Sequence, residues 1–492
     1  MRRCIGPAVS GSAASDGTDP APPGPEAAAR RGTRRLAGWL TVVLVATLVA
    51  AGLAVRSQRA FVAAEQASRA AERTSLVDDA NRLAELSRSV GSLDLSLLLA
   101  AEGFRVADTP ETQDGLLTTL LAHRRAARAV PLPQGFGGGT LALAGDTLFV
   151  GAGGRQLVSW AVPAGSPLNM RGMSHRAGWR ATDASPSSGV LVAMGFNGVS
   201  GPWMWIIGNT GATYVPRIGD DIGGEPFGAA FTADGELVDA FVATPAAGGA
   251  TWHLVRIRPG DGARQGTGIS GSVPAPVAAL QAHVSDPVGT AVLWAAGDDA
   301  VPATLVDMET GHQLPLVPAP RDAAVVAYRA QPSGAVAQLW DDGAVTLYDR
   351  AGRAVQQLMA HRALVRDAVV APDGTWAATA GDDGAVLLWD VDPATGRWSQ
   401  RELLLGHAGA VLDAEIDPDG TRLFTMGTDD TVIAWDVAEN QDPGAGTPLP
   451  YPADPSGWLR EACGVAGRDL TRVEWNRFVP ERPYRATCTE LG

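Results

Sequence analysis

The stretch His407-Ala-Gly-Ala-Val-Leu-Asp-Ala-Glu-Ile-Asp-Pro-Asp-Gly420 runs on through Leu423-Phe424-Thr425 to Asp429 and closes on Val432-Ile433-Ala434-Trp435-Asp436. Short apolar runs broken by Pro-Asp and Asp-Gly turns are short antiparallel strands. A copy begins at His361, passes Ala371-Pro372-Asp373-Gly374, Thr379 and Asp383, and closes on Val386-Leu387-Leu388-Trp389-Asp390. A third contains Pro332-Ser333-Gly334, Asp342-Gly343 and Val345-Thr346-Leu347-Tyr348-Asp349. Trp435, Trp389 and Tyr348 stand 46 and 41 positions apart, the period of a repeated four-stranded unit. Stepping backward at that spacing finds Thr304-Leu305-Val306-Asp307, Leu254-Val255-Arg256-Ile257, Trp203-Met204-Trp205-Ile206 and Leu157-Val158-Ser159-Trp160, each read as a closing strand. Thr232-Ala233-Asp234-Gly235 is a turn in the register of Pro372-Asp373-Gly374. The tally is seven units over residues 138–440, with six or eight as the alternatives.

These units resemble WD40 repeats, closely over about residues 320–440 and faintly over 138–320. The resemblance implies a mainly β fold, a seven-bladed WD40-type β-propeller. It also implies that a His, a hydroxyl, an Asp and a Trp in each well-formed blade make a hydrogen-bonded string pinning neighbouring strands. By position these are His361, Thr379, Asp383 and Trp389 in one blade and His407, Thr425, Asp429 and Trp435 in the next. A His beside an Asp and a hydroxyl also has the composition of a hydrolytic triad. The structural reading is preferred, because a buried Asp persists only where its lone pairs are satisfied. Arg321 stands where the preceding blade would want its His, so that blade is expected to lack the full string and to be looser.

Composition narrows the function. All 39 basic residues are arginine, which excludes the phosphate-gripping lysine of a P-loop, Schiff-base chemistry and a protein-kinase domain. A formal charge of -14 argues against a nucleic-acid role, which wants a basic face. Gly268-Ile269-Ser270-Gly271-Ser272 lacks the last glycine of a nucleophile elbow, and Gly135-Phe136-Gly137-Gly138-Gly139 has no βαβ unit after it. The seven histidines are scattered without metal-ligand spacing. Aspartates and glutamates are read as lying mostly in turns. No catalytic, cofactor-binding or metal residue is expected, and no cofactor.

Before the repeats, residues 1–35 are rich in Gly, Ala, Ser and Pro and read as a disordered cytoplasmic head. Leu36 to Val55 is a run of 20 residues without a charge, the length of a transmembrane helix. Arg30, Arg31, Arg34 and Arg35 precede it, which places the N-terminus in the cytoplasm and the propeller outside the cell membrane. The rival is a cleaved signal peptide with Gly52-Leu53-Ala54 as the processing site and Thr33-Arg34-Arg35 as a faint twin-arginine signal. The apolar run exceeds an ordinary signal core, so a retained anchor is preferred. Residues 56–128 read as a helical stalk and neck, with a helix starting at Thr109-Pro110.

Residues 441–492 read as a helical tail, with helices opening at Asp454-Pro455 and at the capping box Thr471-Arg472-Val473-Glu474. Cys463 and Cys488 can pair in an oxidising compartment. With the topology inverted they would be two buried thiols.

Anchor, neck (Leu97-Leu98-Leu99-Ala100-Ala101-Glu102 and Ala107-Asp108-Thr109-Pro110-Glu111-Thr112), propeller and tail (Trp458-Leu459-Arg460-Glu461-Ala462-Cys463 to Arg482-Pro483-Tyr484-Arg485-Ala486-Thr487-Cys488) occur together. Over residues 36–492 they resemble the exported half of actinobacterial WD40 receptors that carry a STAND-type signalling NTPase before the membrane span. Only 35 residues precede the span here and they hold no P-loop, so the nucleotide chemistry does not carry over. A shortened paralogue, an NTPase on another chain and a misassigned start are the three explanations.

The function expected is a membrane-anchored interaction or ligand-sensing module rather than an enzyme. Its partners would be a protein or envelope ligand on the propeller, the membrane through residues 36–55, and an NTPase or kinase on a separate chain. The alternatives are a hydrolase working from the central channel, which would need channel-facing carboxylates and histidines, and a non-signalling remnant.

Overall fold

Alanine, leucine, valine and arginine fill residues 25–89 with only three glycines, and strong helix formers in such density make one helix, α1 (Pro25–Ser89). The structure, a computed structural model, describes residues 25–132, 139–144, 147–152, 156–161, 167–172, 178–184, 190–197, 201–208, 213–214, 224–232, 234–258, 263–285, 289–298, 300–317, 321–437 and 454–489, with backbone alone for 25–38, 41, 144 and 152–223. The chain divides into two units, residues 1–75 and 76–492.

In the first unit the helix leaves its apolar side chains uncovered: Trp39, Leu48 and Phe61 are 72%, 64% and 71% exposed. Thr47 returns its hydroxyl to Val43 O and Leu44 O, at 2.9 and 2.8 Å, so this polar group is satisfied within the helix. The helix is long and apolar enough to cross a membrane, a property that signal sequences share. Residues 25–35, expected as part of a disordered head, are helical, because Pro25 suits a first helical position and the residues after it favour helix. The rest of that head lies outside the described residues.

In the second unit the end of α1 packs with α2 (Leu93–Val106) and α3 (Pro110–Ala122). Thr109 caps α3 in a reciprocal box with Thr112. In the tail, α4 (Pro455–Ala466) is capped by Asp454, and α5 (Arg472–Phe478) by Thr471 paired with Glu474. Gly467 ends α4 in the left-handed region, φ 67°, where a Cβ would stand 2.6 Å from Ala129 O. A side chain there meets both backbone strain and a clash. Cys463 and Cys488 are disulfide-bonded, tying the tail to the end of α4.

The remaining strands form four-stranded antiparallel sheets, seven among the described residues. Sheet 1 is Gly139–Ala144, Thr147–Ala152, Gln156–Ala161 and Pro167–Gly172, and sheet 2 is Gly178–Ala184, Val190–Asn197, Gly201–Gly208 and Thr213–Tyr214. Sheet 3 is Glu225–Phe231, Val238–Ala246, Gly249–Ile257 and Arg264–Val273. Sheet 4 is Leu280–Ser285, Thr290–Ala295, Thr304–Asp307 and Gln313–Pro315. Sheet 5 is Val325–Ala330, Val336–Trp340, Ala344–Tyr348 and Ala354–Met359, and sheet 6 is Val365–Val370, Trp376–Gly381, Ala385–Val391 and Trp398–Leu405. Sheet 7 takes Val411–Ile416, Arg422–Gly427 and Thr431–Asp436 from the end of the repeats and its fourth strand, Ala126–Pro131, from before them. The first strand of each sheet touches the first strand of the next, and Val411–Ile416 touches Gly139–Ala144.

Two corrections follow. Residues 126–128, expected in the helical neck, belong to a strand, because Ala126 to Pro131 pairs with Trp435 to Thr431 and buries Ala126 and Ala129. The sequence unit is also offset from the sheet. The Trp-Asp that closes a unit lies in a third strand, and a fourth strand follows it in the same sheet.

Candidate functional site

Thr379 and Thr425 sit in the second strands of sheets 6 and 7, wholly buried. In sheet 6, Trp389 Nε1 donates to Thr379 Oγ1 at 3.0 Å, and Thr379 Oγ1 lies 2.9 Å from His361 Nε2. His361 Nδ1 donates to Asp383 Oδ1 at 2.9 Å. Asp383 also accepts the backbone N–H of Arg362 and of Ala385. Burial works to raise this carboxyl, but the bonds from Arg362 and His361 outweigh it and hold it low. Sheet 7 repeats the arrangement: Trp435 to Thr425 is 2.8 Å, Thr425 to His407 is 2.9 Å, and His407 to Asp429 is 3.2 Å. Thr431 Oγ1 and Ala408 N close on Asp429. A side chain at Gly427 or Gly381 would press on the ring of its histidine, which accounts for glycine at both positions. Each hydroxyl is sealed between an indole and an imidazole, so neither string presents a nucleophile to solvent.

Sheet 5 lacks the histidine and builds something else. Gln338 takes the threonine's place: Tyr348 OH donates to its Oε1 at 2.7 Å, and its Nε2 donates to Tyr328 OH at 2.9 Å. Arg321, expected to leave this sheet loose, instead grips Asp342 through Nε at 2.7 Å. The sheet is pinned by different chemistry.

The first strands of sheets 1, 3, 4, 5, 6 and 7 line a cavity of about 500 Å³. Its charged lining residues are Arg329, Arg366, Asp367, Asp413 and Glu415, joined by His283. Arg329 Nε donates to Asp367 Oδ1 at 2.5 Å, and Asp367 Oδ2 accepts from Ala414 N at 3.2 Å. Asp413 Oδ1 also lies 3.2 Å from Ala414 N, so the carboxyl groups of Asp367 and Asp413 converge on one backbone N–H. Asp413 Oδ2 accepts from Leu141 N at 2.6 Å, and Ala330 N donates to His283 Nδ1 at 3.2 Å. One polar chain thus runs through sheets 4, 5, 6, 7 and 1. Burial first, and then the charge of Arg329, push His283 down to about 3, so its imidazole is neutral and free to accept. Burial resists ionisation of Asp367, but Arg329 beside it keeps that carboxyl below its ordinary range. Burial and then the neighbouring Asp367 charge push Asp413 well up.

The aspartates were expected mostly in turns, and this cluster was missed. A signal was available: Asp367 and Asp413 stand 46 residues apart, the spacing of Trp389 and Trp435, each inside a first strand where no turn needs it. Among the described residues no group of three or more His, Cys, Asp or Glu is placed to hold a metal ion.

The comparisons with known proteins bear on the same strands. The family model for the WD domain, G-beta repeat, matches residues 352–390 and 398–436. The chain carries WD40 repeats. Each match begins at or just before the fourth strand of one sheet and ends in the third strand of the next, the same offset that the WD40 strands show in the structure. A search of curated proteins found no match.

Proposed function

We propose that the chain is a membrane-anchored interaction module, with residues 36–55 as its span and a closed, seven-bladed WD40-type propeller displayed outside the membrane to a protein or envelope ligand. The carrying observation is that the histidine–threonine–aspartate–tryptophan strings, and Arg329, Asp367 and Asp413 in the cavity, are engaged in joining strands or sheets. Closure is supported by the succession of first-strand contacts, which runs from sheet 1 to sheet 7 and back. It is supported also by the fourth strand of sheet 7 coming from the other end of the repeat region, which joins the two ends by backbone hydrogen bonds. The apolar helix and the paired tail cysteines support an anchored chain in an oxidising compartment. A separate NTPase or kinase chain is the cytoplasmic partner that the resemblance to STAND receptors implies.

The test is chemical crosslinking on intact cells producing the full chain, followed by capture. Its control is the Thr379→Ala/Thr425→Ala chain, in which two blades lose their strings. The reading expects a defined extracytoplasmic partner, confirmed by reciprocal capture, that fades in the control. Equal, diffuse recovery from both chains would overturn it.

A further inference from the structure

The interaction reading leaves one feature unused: a carboxyl pair inside the cavity, at the place where the last sheet meets the first. The two carboxyl groups meet at Ala414 N, each with an oxygen 3.2 Å from it, and two buried carboxylates brought together disfavour double ionisation, so one of the pair keeps its proton. Asp367 belongs to sheet 6 and is bound to Arg329 of sheet 5. Asp413 belongs to sheet 7 and takes the N–H of Leu141 from sheet 1. We propose that Asp367 and Asp413 form a proton-operated clasp: with the proton in place sheets 6, 7 and 1 are drawn together, and without it two carboxylates face each other and the junction of last and first sheets loosens.

The surrounding charges decide which partner holds the proton. Sheet 5 contributes Arg329, whose guanidinium lies on Asp367 and stabilises that anion. Sheet 4 contributes His283, neutral because burial and Arg329 both disfavour its cation. Sheet 6 contributes Arg366, which Asp382 holds at 2.6 and 2.8 Å. Sheet 7 contributes Glu415, whose charge adds to that of Asp367 in keeping Asp413 protonated. The first strand of sheet 1, Gly-Thr-Leu-Ala-Leu-Ala, brings no charge. No other charged residue lines the cavity among the described residues.

The sign of the pH effect follows. Burial and the Asp367 charge raise the Asp413 carboxyl well above its ordinary range in the fold, whereas it ionises near pH 4 when unfolded. A raised carboxyl gives its full contribution at low pH and loses it as pH climbs from about 4 through the folded value. The clasp therefore weakens toward alkaline pH.

The test is the thermal midpoint of the full chain in detergent from pH about 5 to about 9, compared with Asp413→Asn. Asparagine keeps the Leu141 bond through Oδ1 and turns a neutral Nδ2 donor toward Asp367, with no proton to lose. The wild type should lose midpoint as pH rises, and Asp413→Asn should show a flatter profile that lies above it at the alkaline end. Equal slopes for the two chains would overturn the proposal. Infrared spectroscopy of the wild type reads the proton directly, even if the variant does not fold. A protonated carboxylic acid band at neutral pH that bleaches at alkaline pH is expected, and its absence at neutral pH overturns the clasp.

Discussion

Thr425 shows how much a single hydroxyl carries. It accepts from Trp435, bonds His407 and has no access to water. Thr425→Ala leaves an indole N–H and an imidazole nitrogen buried without partners, and an orphaned buried group costs about 1–3 kcal/mol. We expect Thr425→Ala to destabilise the chain by about 2–3 kcal/mol in denaturant unfolding, and a Thr425→Ser chain, which keeps the hydroxyl, to lose less than half of that. An alanine variant as stable as wild type would show that the string is not what pins the blade. The string residues were legible because they recur at fixed spacing. The carboxyl pair recurs at the same spacing and was still overlooked, because an aspartate in a turn and one inside a strand look alike until the strand is assigned. The charge on Asp367 depends on Arg329 and His283, which lie about one and two repeats away in the chain, and no local pattern shows that.

At the scale of elements, capped helices were the most legible. Thr109-Pro110, Asp454-Pro455 and Thr471 with Glu474 each open a helix where side chain and backbone agree. The strand Ala126–Pro131 was not legible, because its opening Ala-Ala-Arg-Ala suits a helix and its pairing partner lies some 300 residues on. Non-local pairing overrides propensity there. The tail is held to the neck by several links, Arg485 on Glu102 at 2.7 Å, Arg468 on Asp94 at 2.6 Å and Arg105 on the carbonyls of Ala486 and Thr487, and the disulfide closes the tail on itself. Closing a loop of 25 residues is worth roughly 3 kcal/mol in the chain-entropy model. The Cys463→Ser/Cys488→Ser chain should therefore unfold at lower denaturant, by about that free energy. Its tail should become the first site of limited proteolysis, and cleavage first elsewhere would argue that the ionic links suffice.

For the whole molecule, the repeat was readable from its last units and only inferable for the earlier ones. Sheets 1 to 4 keep the spacing while using few of the signature residues, since apolar first and second strands can pack without a histidine string. The reversal at sheet 7, where both ends of the repeat region meet, lies beyond any local reading. It is also where the disulfide-bonded tail and α2 share one core with the last two sheets. The central claim is that residues 76–492, with this closure, lie outside a membrane whose inner side holds the N-terminus. Cysteine accessibility in cells producing the full chain tests it most directly, because Cys4 falls on one side of the span and Cys463 and Cys488 on the other. Treatment of intact cells with a membrane-impermeant reductant and then an impermeant maleimide should label Cys463 and Cys488, while Cys4 reacts only after lysis. Labelling of Cys4 in intact cells, with Cys463 and Cys488 silent until lysis, would contradict the account.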